Sequence, residues 1–204
     1  MIKKINYIIQ AFLIYLFFFI GRTMGIKISR KIFASLFCLI GPFFKSKKTM
    51  DKNLNIFKKN ISLVEKNRII KNMWKNYGMT FIEYIFLNQL KKTNINIEIL
   101  GNNNLRTPLN ENKPVIFISG HFANFELMSM AITKENINLA TIYRPLNNFL
   151  INPLMEYLRK KYVCKNQIKK GINGVRETVE FIKKKHSIAL MIDQRVSEGE
   201  RINF

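Results

Sequence analysis

The segment Val115-Ile116-Phe117-Ile118-Ser119-Gly120-His121-Phe122-Ala123-Asn124-Phe125-Glu126 constrains the fold more than any other part of the chain. Its β-branched and aromatic opening suits a strand, and Ser119-Gly120 ends that pattern. Asn124 is then a credible N-cap for a helix running through Met130. His121 and Glu126 stand five positions apart. On one continuous helix, five residues turn the chain by about 500°, so the two side chains would diverge by roughly 140°. They converge only if His121 ends a strand and Glu126 falls in the first turn of the helix after it. A histidine held by a carboxylate at a strand end is a general-base arrangement. The bland alternative is a strand-end histidine that only caps the helix.

The rest of the second half extends this pattern. Short β-rich runs at Ile95–Leu100, Val115–Ser119, Asn138–Tyr143 and Ile188–Asp193 alternate with helical patterns at Asn124–Thr133, Asn148–Lys160 and Gly174–Lys184. That alternation predicts an α/β fold with a mostly parallel sheet flanked by helices. In such sheets, ligands meet the protein beyond the carboxyl ends of the strands. His121, Arg144 and Asp193 each sit at or just past such an end. Pro145 holds Arg144 extended, where it could bind phosphate or steady an oxyanion, or serve as an ordinary surface arginine. Asp193 is read as a site residue, with capping of the next turn as its alternative. Lys169-Lys170-Gly171-Ile172-Asn173-Gly174 looks like an anion loop but lacks Walker spacing, so a solvated turn is the default. No nucleotide, metal or other cofactor is expected, and Cys38 and Cys164 read as buried or incidental thiols.

The first half has a different character. The net charge is +21, and residues 1–60 hold twelve basic side chains against Asp51 alone. Such a surplus calls for an anionic partner. Between the charges lie two apolar runs, IIQAFLIYLFFFI from Ile8 and IFASLFCLIGPFF from Ile32. Each is shorter than the roughly 20 residues that span a bilayer alone. Basic residues flank both runs on both sides, so they set no orientation. A helical, membrane-associating segment over residues 1–44 is the expectation, with a buried core helix as the alternative. Residues 45–204 then form the α/β domain. Ser62-Leu63-Val64-Glu65 is a capping-box pattern opening a long amphipathic helix from about 63 to 90, with Gly78 as a candidate point of interruption. Its apolar stripe, which includes Trp74, reads as core packing. No helix-turn-helix, RNP or zinc pattern supports nucleic-acid binding.

Several blocks together resemble one known family. They are Asp51-Lys52-Asn53-Leu54, Trp74-Lys75-Asn76-Tyr77-Gly78 with Glu83-Tyr84, and Gly120-His121-Phe122-Ala123-Asn124-Phe125-Glu126. Tyr143-Arg144-Pro145 with Asn152-Pro153-Leu154, and Met191-Ile192-Asp193-Gln194, complete the series. In order and spacing, over about residues 20–204, they are similar to the bacterial lipid A biosynthesis acyltransferases that transfer lauroyl or myristoyl groups. Several members of that family carry Asp where this chain has Glu126. The resemblance implies a membrane-bound enzyme on the cytoplasmic face of the inner membrane. Such an enzyme moves a fatty acyl group from acyl carrier protein to a hydroxyl of an acylated, phosphorylated disaccharide. His121 would be the base and Glu126 its partner, with Arg144, Asp193 and Asn124 binding substrate. Family members continue past the equivalent of Phe204 with a phenylalanine-glycine segment, so this sequence is expected to be part of a longer protein. The same histidine-to-acid spacing occurs in acyltransferases for glycerol phosphate lipids and phosphatidylinositol mannosides, which leaves the acceptor open. A non-enzymatic basic membrane-binding protein is the reading from a different class.

Overall fold

The first helix, α1 (Ile2–Ile40), is broken at Gly25, whose φ of 74° and ψ of 163° lie outside helical geometry. Glycine tolerates that conformation because it has no Cβ. Phe17 and Phe33 would stand about 24 Å apart on a straight helix, yet their rings meet at 5.6 Å. The buried Ser29 hydroxyl donates to the Gly21 carbonyl at 2.7 Å, tying the two arms together. The apolar runs on either side of Gly25 therefore fold back on each other. By length and composition the helix is apolar enough to cross a membrane. Its first arm leaves Ile8, Ile9, Phe12 and Phe19 more than half exposed. No Lys, Arg, Asp or Glu lies between Lys4 and Arg22.

This computed structural model describes residues 2–44, 47–93 and 97–193. Its contacts group into two units, Met1–Gln89 and Leu90–Phe204. In the first unit, α2 (Lys47–Phe57) and α3 (Leu63–Glu83) follow α1. Ser62 caps α3 by accepting the Glu65 N–H at 3.2 Å, as the capping-box pattern predicts. Phe81 of α3 packs its ring against Phe18 and Phe37, at 5.1 and 5.4 Å. Trp74 is buried, in line with a core stripe. The predicted interruption at Gly78 is not there: α3 runs through it. A Cβ at Gly78 would stand 2.1 Å from the Phe33 carbonyl oxygen, so this glycine serves close helix packing. The break falls later, as a 3₁₀ turn at Tyr84–Phe86 before α4 (Leu87–Lys92).

The second unit runs α5 (Asn103–Asn110), β1 (Ile116–Ser119), α6 (Glu126–Lys134), β2 (Leu139–Tyr143), α7 (Asn152–Leu158), β3 (Asn166–Lys169), α8 (Ile172–Lys183) and β4 (Ser187–Met191). The strands pair in the order β1-β4-β2-β3, and every pairing is parallel. Ala140, Ile168 and Ile188 form the centre of the core, with Phe181 and Ile182 of α8 packed against them. A Cβ at Gly174 would meet the Lys169 carbonyl oxygen at 2.0 Å, so glycine there lets α8 approach β3.

Three sequence expectations need correction. Of the strand predicted at Ile95–Leu100, residues 97–100 are irregular, and Ile95 and Asn96 lie outside the described residues. Ile99 and Leu100 are exposed, and among the described residues that stretch joins no ladder. The helix predicted from Asn148 starts at Asn152, because Asn148 forms a turn instead, its Oδ1 accepting the Leu150 N–H at 3.0 Å. That helix then loosens into a π turn at Arg159–Val163. The strand β3 was not foreseen: Asn-Gln-Ile-Lys offers a single core residue, Ile168, and no β-branched run.

Candidate active site

Parallel pairing of β1 and β4 sets Ser119 opposite Met191. Two residues further along each chain stand His121 and Asp193. The register of the sheet therefore delivers them to one another at its carboxyl edge. Asp193 Oδ2 accepts the His121 backbone N–H at 2.7 Å, and Oδ1 lies 2.7 Å from the ring Nδ1. Phe125 packs edge-on against the imidazole, with centroids 4.6 Å apart. Glycine at 120 makes room for this pairing, since a Cβ there would come within 3.2 Å of Asp193 Oδ2. The hydrogen bond to the His121 ring and a second from its backbone N–H hold the Asp193 carboxyl below the usual carboxylate range. Both side chains are open to solvent, His121 at 29% and Asp193 at 41% exposure.

The turn after His121 is tight. Phe122 N–H bonds back to Gly120 at 2.8 Å, and Ala123 takes a positive φ of 45°. Strand, turn and helix therefore follow one another as the sequence requires, with Glu126 in the first turn of α6. A carboxylate suits that position, where the helix dipole is positive. Asn124 Oδ1 accepts the Glu126 backbone N–H at 3.2 Å, so this side chain shapes the turn into the helix.

Glu126 itself is buried, and its Oε1 accepts from Arg159 Nε at 2.7 Å. Arg159 comes from the π turn after α7, and its guanidinium lies 5.9 Å from the centre of the Tyr143 ring. The Tyr143 hydroxyl donates to Glu156 Oε1 at 2.6 Å, and Asn152 Nδ2 donates to the same oxygen at 2.9 Å. Burial, reinforced by the Glu156 carboxylate, pushes the Tyr143 hydroxyl well above the usual phenol range. The Tyr143 hydrogen bond in turn lowers Glu156. The network thus stays ionised at Glu156 and neutral at Tyr143 through neutral pH.

Arg144 follows β2 directly and is exposed. With β4 between β1 and β2, the carboxyl ends of β1 and β2 are about 10 Å apart. The structure thus brings His121, Asp193 and Arg144 to the carboxyl edge of the sheet, with Glu126 in the first turn of α6. Sequence reasoning missed Arg159 and Glu156. One signal was present for the arginine: the chain has 25 Lys and nine Arg. An arginine in so lysine-rich a chain marks a place where a planar, forked donor is needed. Cys164 is buried, its thiol pushed up by burial and bonded to the Leu139 carbonyl at 3.1 Å, which suits a structural thiol.

The arrangement provides an exposed imidazole with a carboxylate on one nitrogen, and a buried carboxylate five residues on. The model of the family described as bacterial lipid A biosynthesis acyltransferase matches residues 2–204. No curated protein matches the chain.

Proposed function

The chain belongs to the bacterial lipid A biosynthesis acyltransferase family, and from that premise we propose that His121 is the general base of an O-acyl transfer. The donor in this reading is a fatty acyl thioester of acyl carrier protein, and the acceptor is a hydroxyl of a phosphorylated lipid A precursor. The observation that carries it is the 2.7 Å contact between His121 Nδ1 and Asp193 at the carboxyl edge of the sheet. A carboxylate on Nδ1 favours the tautomer with its proton there, which makes Nε2 the nitrogen that accepts.

The acceptor hydroxyl gives its proton to Nε2 as its oxygen bonds to the thioester carbonyl carbon. The tetrahedral oxyanion then collapses, the carbon–sulfur bond breaks, and the leaving thiolate takes the proton back from the imidazolium. Glu126 supports the imidazolium and the turn that carries it. Arg144, exposed beyond β2, meets acceptor phosphate or the oxyanion, and Asn124 faces the acceptor. No metal or nucleotide takes part.

A net charge of +21 favours both an acidic carrier protein and an anionic lipid. The apolar first arm of α1, with Lys and Arg at its ends, supports a seat in the bacterial inner membrane, and the resemblance to the family supports the cytoplasmic side for the site. The test is transfer of a labelled acyl group from acyl carrier protein to a tetra-acylated lipid A precursor. His121→Ala should slow it by about 10²–10⁴-fold. Transfer by that variant at the wild-type rate would overturn the reading.

A further inference from the structure

An apolar groove of about 620 Å³ lies within the second unit. That size falls in the range of small-molecule sites, about 300–1,000 Å³. One wall is α6, which contributes Leu127, Met128, Ala131 and Ile132. Phe117 of β1 also lines it, and the irregular residues from Ile97 to Asn102 with the first turn of α5 (Asn104 and Leu105) complete the lining. The groove starts at Leu127, directly after the buried Glu126. It follows the helix to Glu135, a length of about 12 Å at the helical rise. Leu127, in the first turn of α6, is the lining residue that stands nearest in the chain to Glu126.

Its charge is as informative as its shape. In a chain of net charge +21, the described residues lining the groove include Glu98 and Glu135 but no Lys or Arg. A phosphate or a carboxylate would be repelled there. A neutral, unbranched hydrocarbon would not.

We propose that this groove holds the fatty acyl tail of the thioester donor, and that Met128 and Ala131 set the chain length it accepts. This rests on the acyl-transfer reading, and it adds a location and a specificity rule to it. The tail runs along α6 with its thioester end toward His121 and its methyl end toward Glu135. Each methylene removed from water contributes about fourfold to binding, so a wall that shortens the groove penalises long donors and spares short ones.

Two measurements test the proposal on the full chain. In the first, donors from octanoyl to hexadecanoyl are compared as acyl carrier protein thioesters. Ala131→Trp should lower kcat/KM for a tetradecanoyl donor at least about tenfold more than for an octanoyl donor. Ala131→Leu should do the same to a smaller degree, and Met128→Ala should shift the preference toward longer chains. A parallel fall for all lengths, or a change confined to the KM of the acceptor, would overturn the proposal. In the second, dodecanoate carrying a diazirine at its methyl end is photo-crosslinked and the adducts are mapped. They should fall within 97–105 and 127–135 and disappear in Ala131→Trp. Adducts elsewhere would overturn the groove assignment even if acyl transfer proceeds. Adducts in the groove of a chain that transfers nothing would uphold it and sink the catalytic reading instead.

Discussion

Two contacts to carboxylates, equal in length, lie in the α/β unit, and their surroundings make them opposites. His121 and Asp193 meet at 2.7 Å with side-chain exposures of 29% and 41%. Glu126 and Arg159 meet at 2.7 Å with exposures of 8% and 13%. In water, a pair at this distance interacts weakly, whereas in a protein interior both the attraction and the desolvation cost grow several-fold. The exposed pair is available to a substrate and adds little to stability. The buried pair ties the first turn of α6 to the π turn after α7, and removing one partner takes this contact from a charge that stays buried. Distance alone would rank them as equals; exposure leaves the first within reach of solvent and ligands, and burial ties the second into the packing.

The largest expected effect follows from that contrast. Arg159→Ala should destabilise the folded chain by about 3–5 kcal/mol, because Glu126 is left buried without this partner. The urea midpoint in detergent would report it. Replacing both partners, as in Glu126→Gln with Arg159→Met, should recover most of that stability, since apolar or neutral groups of similar size are tolerated where a broken pair is not. If Arg159→Ala cost less than about 1 kcal/mol, the buried pair would be no more structural than the exposed one.

Asp193→Asn should do the reverse, lowering the acyl-transfer rate by about tenfold to a hundredfold while shifting stability by less than about 0.5 kcal/mol. The amide keeps the shape but loses the charge that steadies the imidazolium. A large fall in the unfolding midpoint with the rate preserved would exchange the roles of the two pairs.

Tyr143→Phe is a milder probe of the buried side. It removes the hydroxyl bonded to Glu156 and keeps the ring beneath Arg159. A loss of about 1.5–3 kcal/mol is expected, as for hydrogen bonds to charged groups. A neutral result would show that water replaces the hydroxyl at Glu156 and that this network is more open than the Glu126–Arg159 pair.

The sequence exposed the first pair better than the second, for a physical reason. His121 and Asp193 are each signalled by a strand pattern that ends just before them, and apolar runs such as Ala189-Leu190-Met191-Ile192 are local features. Their mutual contact depends on β1 lying next to β4, which is a matter of strand order. The long stretch of chain between them does not show that order. Arg159 is harder still. It reaches Glu126 through a π turn, and nothing in Leu158-Arg159-Lys160-Lys161 distinguishes that from an ordinary helix with a basic surface. The same limit explains the missed β3, whose single core residue Ile168 gains meaning only against Ala140 and Ile188. Gly25 and Gly78 make the point in the helical unit. Each is a glycine within an apolar helical pattern, yet one bends its helix and the other admits a neighbouring backbone. Only the partner surface decides which.

The smallest effect is the titration of the exposed pair, and it tests the comparison most directly. His121 donates to Asp193 from its ring and its backbone, and both bonds favour the ionised carboxyl. In the unfolded chain that carboxyl titrates near the ordinary value of about 3.9. Its folded pKa is lower, so its contribution to stability is fully present above the unfolded value and is lost as pH falls through the folded one. The contribution stays well below about 1 kcal/mol because solvent screens the pair. A carbon-13 titration of the Asp193 carboxyl should give a midpoint below about 3.9, moving up toward it in His121→Ala. A midpoint at or above the ordinary value would mean that desolvation outweighs the two hydrogen bonds. The pair would then belong with Glu126 and Arg159 as a buried structural contact, and the case for His121 as the accessible base would lose its electrostatic support.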